Sequence, residues 1–345
     1  MRSEIQLPVE ISPNGGVCLG PNVICDGFKF NVPFRVQSHV HDDHMNGWSD
    51  SKGYQEIYMT PATHALLVAE LNADLSARNN LHRLNVGEWC SAGGCKIRLE
   101  SSAHMLGAAQ VCVELECGAR VGYSGDFAWP MDNPIEVDVL VLDSTNGSPK
   151  CTRQYEESEA DELFMDILRT RIKYGPVYLK AHRGTLQRAL QVMCSDPSFN
   201  ILASKNRIRE IDVFRQFGFP MPKVIDRKSE EGVFMRKNGH CVYLYSKGDG
   251  QIVDPVPHSS TISLSAYFTN PKTPVNAYSE RSFCVAMCEH ADFEGCLEYV
   301  KKTKAKHVLV DVRGSKHVEL AIEIRNRLGV NAIPASVVES KEWGI

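Results

Sequence analysis

A chain of 345 residues with 43% hydrophobic and 23% charged residues has ordinary globular usage, which excludes collagen-like, low-complexity and wholly disordered readings and leaves one large α/β domain or two of moderate size. The 38 Lys+Arg against 42 Asp+Glu give a formal charge of -4, so the whole molecule lacks the basic excess of a general nucleic-acid binder. Twelve cysteines without a CxxC pair read as free thiols of a reducing compartment rather than as a disulfide scaffold.

No run approaches 18 consecutive apolar residues, and the opening MRSEIQLPVE places Glu4 and Glu10 where a secretory leader needs an apolar stretch. The expectation is a protein of the cytoplasm, or of the nucleus in a eukaryote, without membrane association. The first 145 residues alternate short β-branched runs with Gly and Asn breaks: VICDGFKF, RVQSHV, EIYMT, CKIRLES, QVCVELE, ARVGYSG and VDVLVLD read as strands. Among them PATHALLVAELNADLSAR has helical spacing. From about 155 the pattern becomes βαβα, with helix EESEADELFMDILRTRI, strand GPVYLKA, helix GTLQRALQVM, strand NILAS and helix NRIREIDVFRQFG. A proline-punctuated, irregular piece fills 220–282, after which helix FEGCLEYVKKT, strand HVLVDV, helix HVELAIEIRNRLG and strand NAIPAS close the chain. Charge is uneven: residues 150–237 carry 17 Lys+Arg against 12 Asp+Glu, leaving 21 against 30 elsewhere. A basic middle between acidic flanks is either a solvated face or a surface for an anionic partner.

The sharpest chemical signal is SHVHDDHMNG, an HxHxDH spacing directly after an apolar strand. Residues two apart on an extended strand end project to one side, so His39 and His41 can converge on a metal, while Asp43 and His44 on the following turn can face a second one. Packing alone does not explain three imidazoles and a carboxylate gathered so closely, because several polar groups would be stranded. His104 in SSAHMLGAAQ and Asp126 in GYSGDFAWP also follow apolar runs and sit beside Gly or Ala, which lets backbone approach a crowded centre.

HxHxDH, then AHMLGAAQ, then YSGDF resembles the metallo-β-lactamase superfamily, and three later segments resemble its β-CASP nucleases. VLVLDSTNG resembles motif A and gives Asp143; CEHADFEGCLEYV resembles motif B and gives His290; KAHRGTLQRAL resembles the cap segment whose Gly opens a helix, giving Gly184 and Gln187. The likeness spans nearly the whole chain and is greatest to bacterial ligase-associated DNA exonucleases, then to ribonuclease J, the crosslink-repair nucleases and the mRNA 3′-end processing endonuclease. It implies an α/β fold, a metallo-β-lactamase αββα sandwich from residues 1–148 and 284–345, with a small α/β β-CASP cap inserted at 149–283.

The resemblance also implies a ligand set. His39, His41 and His104 would hold one Zn2+, Asp43 and His44 the other, with Asp126 bridging and Asp26 orienting the ligand loop; Mn2+ is a substitute, and one or two ions are possible. The implied reaction is phosphodiester hydrolysis of nucleic acid by metal-activated hydroxide, with Asp43 in the catalytic centre and His290, supported by Asp143, as general acid. Taken alone, His290 reads first as a cap of the following helix, and its match to motif B reverses that.

Two positions depart from the family pattern. Asn146 stands where motif A has an aromatic, and Arg313 stands where motif C has a ligating His. Arginine does not give up its proton to bind zinc, so the second ion is weaker, absent or completed by water; His317, one helical turn on, is an alternative ligand. A non-His at that position is found in DNA-directed members of the family, which favours DNA over RNA, and Arg313 is also a candidate contact to the scissile phosphate. Further phosphate candidates in the cap are Lys180, Arg183, Gly184, Arg188, Lys205 and Arg207, and Tyr178 and Phe268 are aromatics available for stacking or for the core. A DNA-repair protein as partner follows by family analogy alone. The competing readings are an RNA-processing nuclease of the same family, a small-molecule metallo-hydrolase, and a catalytically impaired nucleic-acid-binding subunit.

Overall fold

The computed structural model describes residues 8–71, 74–246, 249, 258–267, 270–312, 314 and 316–335. The chain divides into two units: Met1–Val68, Ala73–Thr152 and His290–Ile345 form one, and Ala69–Asn72 with Arg153–Glu289 the other.

The first unit contains two facing sheets among the described residues. One has six strands, in hydrogen-bonded order Val9–Ile11, Val17–Leu19, Val23–Cys25, Phe34–Val36, Glu56–Met59 and Leu81–Arg83. The other has seven, in the order Asn331–Pro334, His307–Val310, Val139–Leu142, Arg120–Tyr123, Ala109–Glu114, Cys95–Ser101 and Trp89–Ala92. The Val139–Leu142 and His307–Val310 strands pair in parallel, Val141 opposite Leu309. The second unit is therefore an insertion between two neighbouring strands of one sheet.

Side-chain alternation explains the layers. Val139 and Val141 join Val17, Leu19, Val36, Ile97 and Val111 in the core between the sheets. Leu140 and Leu142 point the other way, onto Phe293, Leu297 and Tyr299 of helix Phe293–Thr303 and Leu320 and Ile324 of helix His317–Leu328. A strand covered on both faces has no polar side to offer, which is why VLVL is continuously apolar. On the outer face of the six-stranded sheet a small cluster of Cys18, Ile24 and Val32 is buried.

The second unit is a seven-stranded, mostly parallel sheet in the order Val224–Asp226, Ile201–Ala203, Val242–Tyr245, Val177–Lys180, Ser260–Ser265, Ser282–Ala286 and Val275–Ser279, the last strand antiparallel. Phe164, Met165 and Leu168 of helix Glu157–Arg171 and Leu186, Leu190 and Met193 of helix Thr185–Met193 cover one face. Tyr178, Leu202, Ile225 and Tyr243 pack on the other, against Met235 of helix Glu230–Asn238.

The principal difference from the sequence reading lies in 220–282. This piece carries helix Glu230–Asn238 and strands Val224–Asp226, Val242–Tyr245, Ser260–Ser265 and Val275–Ser279. Strands of three to six residues leave too short a run for periodicity to register. The twelve cysteines are free thiols, and among the described residues no helix is long and apolar enough to cross a membrane.

Candidate metal centre

Four loops of the first unit, each leaving the end of a strand, bring the chemistry together. After Phe34–Val36 the chain stays extended to His41, at φ -70° and ψ 147°, then turns through one 3-10 turn, Asp42–His44. His39 and His44 are almost fully buried, whereas the Asp43 side chain is 69% exposed. His104 follows Cys95–Ser101, Asp126 follows Arg120–Tyr123 and Asp143 follows Val139–Leu142.

Two glycines make the crowding possible. Gly107 has φ +82°, and a Cβ there would lie 2.5 Å from the Thr63 amide nitrogen. Thr60 and Thr63 instead donate their hydroxyls to its carbonyl, each at 2.8 Å. At Gly125, with φ +56°, a Cβ would lie 2.8 Å from the Ala109 carbonyl oxygen. Both positions combine a left-handed backbone with no room for a side chain.

His39 Nε2 lies 3.1 Å from His41 Nδ1, which lies 3.2 Å from His104 Nε2. Asp126 Oδ2 is 3.6 Å from His39 Nε2 and 3.7 Å from His104 Nε2. A four-coordinate zinc with bonds of about 2.0–2.1 Å separates its donors by about 3.4 Å, so this four-atom cluster has the span of a single tetrahedral shell. Asp126 Oδ1 points the other way, 3.1 Å from His44 Nε2, itself 3.7 Å from Asp43 Oδ2. Asp43, His44 and Asp126 thus form a second three-donor cluster sharing one carboxylate with the first.

The protons are fixed by the layer behind. Buried Asp26 accepts from the Ser38 amide at 2.8 Å and the Ser38 hydroxyl at 2.5 Å, and from Gln37 Nε2 at 3.3 Å. His44 Nδ1 lies 2.7 Å from the same carboxylate and so carries the proton, leaving its Nε2 lone pair for Asp126's side. The Ser38 hydroxyl, its proton given to Asp26, accepts from His39 Nδ1 at 2.9 Å. His39 Nε2 is consequently also a lone pair facing the cluster. Burial, with the His44 ring beside it, pushes His39 down to about 3, keeping it the neutral imidazole a metal needs. Asp26 occupies a left-handed conformation, φ +55°, tolerated by Asp better than by most residues.

His290 Nδ1 is 3.3 Å from Asp143 Oδ2 and its Nε2 is 4.0 Å from Asp126 Oδ2. It does not cap the helix that follows: Asp292 does, accepting from the Gly295 amide at 2.8 Å. Asp143 is held by the Thr145 amide and hydroxyl at 3.0 and 2.9 Å. Asn146, in place of the expected aromatic, donates to the Ala291 carbonyl at 2.9 Å, and the Ala291 amide donates to Phe127 at 2.7 Å. His317 Nδ1 lies 3.0 Å from the Gly314 carbonyl and belongs to none of the clusters among the described residues. Arg313 and Phe268 lie outside the described residues.

In the second unit, charge is largely matched internally. Arg183 pairs with Glu70 and lies 3.6 Å from Glu210; Arg188 reaches Asp161 at 3.2 Å, Glu157 at 3.3 Å and the Cys288 carbonyl at 3.1 Å; Arg207 pairs with Glu210 and lies 3.4 Å from Asp249. The Gly184 amide donates to Gln187, and Tyr178 is buried in the core. Lys180 is exposed, as is Lys205, whose ammonium lies 3.9 Å from Asp226. Sequence reasoning missed the residues behind the clusters: Arg35, Gln37 and Ser38 carry no metal-ligand signature.

No family model matches the chain. It is 35% identical over 126 residues to an uncharacterized protein in the lig 3′ region of Acidianus ambivalens, covering 36% of this chain and 89% of that one. It is 21% identical over 283 residues to a probable DNA ligase of Opitutus terrae (79% of this chain, 26% of the ligase) and 24% over 201 residues to an RNase J-like protein of Methanocaldococcus jannaschii (52% and 46%). To the 5′ exonuclease Apollo of Danio rerio it is 29% identical over 154 residues (41% and 26%). The chain thus spans less than half the length of the last three. A crystal structure of a protein of unknown function from Enterococcus faecalis matches with a TM-score of 0.62 at 12% identity, covering 89% of this chain and 80% of that one, a likeness of fold. The His/Asp clusters on this α/β sandwich and the likeness to an RNase J-like protein and a 5′ exonuclease converge on the metallo-β-lactamase β-CASP nucleases that the sequence resembles, and support a metal-dependent hydrolase.

Proposed function

We propose that the protein is a zinc-dependent phosphodiesterase that degrades DNA from an end, acting with DNA-repair proteins in the cytoplasm or nucleus. The observation that carries the chemistry is the four-donor cluster of His39, His41, His104 and Asp126, with Asp126 offering its second oxygen to His44 and Asp43. Divalent cations bound there would supply Lewis acidity toward a phosphoryl oxygen and lower the pKa of water. The imidazoles and carboxylates fit the preference of Zn2+, and Mn2+ is an acceptable substitute.

The chain's own groups do the rest. Asp26 and Ser38 keep the His44 and His39 lone pairs aimed inward. Exposed Asp43 is the cluster member open to solvent and substrate. With Nδ1–H held by Asp143, His290 directs Nε2 toward the space beside Asp126, from which a protonated ring can donate to the leaving oxygen. Asp143 offsets the charge that His290 carries in that step. In the inserted unit, exposed Lys180 and Lys205 are the candidate phosphate contacts, whereas Arg183 and Arg188 serve mainly that unit's internal ion pairs. DNA is favoured by the likeness to a probable DNA ligase, to a protein of the lig 3′ region and to a 5′ exonuclease.

The test is digestion of end-labelled single- and double-stranded DNA and RNA by chelated protein with Zn2+ or Mn2+ restored. Loss of activity in His41→Ala and Asp126→Ala, with the fold retained, is expected. Full activity in both variants overturns the site; RNA cleaved in preference to DNA moves the substrate to the RNA-processing reading.

A further inference from the structure

We infer that Arg35 is a positioning residue for the Asp43, His44 and Asp126 cluster, a role that rests on reading the cluster as a cation site. Arg35 lies on strand Phe34–Val36 and is the largest fully buried side chain among the described residues. Its Nη1 donates to the carbonyls of Gly27 at 3.2 Å and Asn46 at 2.8 Å and to the Ser51 hydroxyl at 2.9 Å. Its Nη2 donates to the His44 carbonyl at 3.0 Å and to Gln37 Oε1 at 2.7 Å, and Nε reaches the same Gln37 oxygen at 3.1 Å. The guanidinium also sits 5.3 Å from the centre of the Trp48 ring.

Burial pushes Arg35 down only to about 10, so it is a cation at neutral pH. No carboxylate bonds it directly among these contacts. An apolar residue would fill the same position without a buried charge to solvate, so the chain's use of arginine needs a reason, and the destinations of its N–H groups supply one. Gly27 follows Asp26, His44 is a cluster member, and Asn46 lies two residues beyond it. A rigid planar fork spanning those three carbonyls sets the separation between the loop carrying Asp26 and the turn carrying His44. That separation is what the 2.7 Å contact between His44 Nδ1 and Asp26 depends on. Gln37 extends the clamp: its oxygen is occupied by Arg35, so its amide donates to Asp26, to the His39 carbonyl at 2.6 Å and to the His44 carbonyl at 3.0 Å. None of these Arg35 contacts reaches His41 or His104, and the clamp touches His39 only at its backbone carbonyl, through Gln37, so the effect of Arg35 falls chiefly on the cluster of Asp43, His44 and Asp126.

The test is Zn2+ uptake by stripped protein in competition with a chromophoric chelator, with thermal unfolding in parallel. Arg35→Lys keeps the charge but not the fork, and the weaker of two bound ions is expected to lose about 10- to 100-fold in affinity while the tighter ion is held as in the parent. Ser51→Ala, which removes one acceptor of the fork, should shift the same ion in the same direction by less, and it decides the matter if Arg35→Lys does not fold. Parental binding of both ions in the variants, with only the unfolding temperature changed, overturns the inference in favour of packing; equal weakening of both ions overturns it as well. Failure of the parent to take up Zn2+ removes the cation reading itself, a result distinguishable from parent-like variants.

Discussion

Replacing Asp26 by asparagine tests the tautomer argument with little other disturbance. Asparagine tolerates the left-handed backbone that position 26 adopts, and it has nearly the same shape. Its oxygen must stay on the Ser38 amide, at Oδ1, so the new NH2 replaces Oδ2 and confronts the two groups that now donate there, the Ser38 hydroxyl and His44 Nδ1. His44 can accept only by moving its proton to Nε2, which blocks the lone pair facing Asp126. The Ser38 hydroxyl, turned into an acceptor from the new amide, is freed to donate to His39 Nδ1, which moves that ring's proton onto the clustered nitrogen too. Supporting partners of metal ligands typically contribute 10–100-fold in affinity, or about 1.4–2.7 kcal/mol. With two rings affected, the upper end is expected. The buried hydrogen bonds add a stability loss of about 1–3 kcal/mol. Zn2+ affinity by chelator competition and urea unfolding of the stripped protein read the two effects separately. A folded Asp26→Asn protein that takes up Zn2+ with parental affinity would refute the reasoning.

Other perturbations follow from the same geometry. Gly125→Ala places a methyl group against the Ala109 carbonyl at positive φ, so denaturant unfolding should register a loss of about 1–2 kcal/mol or more; unchanged stability contradicts the packing described. Asn146→Ala removes the bond to the Ala291 carbonyl, and steady-state nuclease kinetics should show kcat falling more than KM changes, because the peptide beside His290 loses its anchor. His290→Gln should lower kcat by about 10²–10⁴-fold with Zn2+ content unaltered, and a parental kcat excludes the proton-donor role. Leu142→Ala, at a fully buried position against the helix layer, should cost about 2–5 kcal/mol in urea unfolding.

The readable parts of the molecule are those whose signal is local. HxHxDH announces itself because three imidazoles and a carboxylate within six residues have no packing rationale. His104 and Asp126 are lone residues in sequence, and only likeness to a known pattern joins them to the cluster that strand order assembles. Arg35 and Gln37 are invisible for the opposite reason: polar residues alternating with Phe34 and Val36 have the look of a strand's solvent side, yet both are buried. The basic stretch illustrates the limit of counting charge. Arg183, Arg188 and Arg207 read as phosphate contacts until folding brings Glu70, Asp161, Glu210 and Asp249 against them. Strands Val224–Asp226, Val242–Tyr245, Ser260–Ser265 and Val275–Ser279 go unread because each is short, and the partners of Val242–Tyr245 lie far back along the chain.

The VLVL strand, gripped by the intersheet core on one side and the helix layer on the other, ends one residue before Asp143. Fastened on both flanks, it has little freedom to lean or slide, and the carboxylate at its tip inherits that steadiness. Loosening either grip, even by a methyl group far from the imidazoles, would be felt as a small drift in where His290 finds its companion.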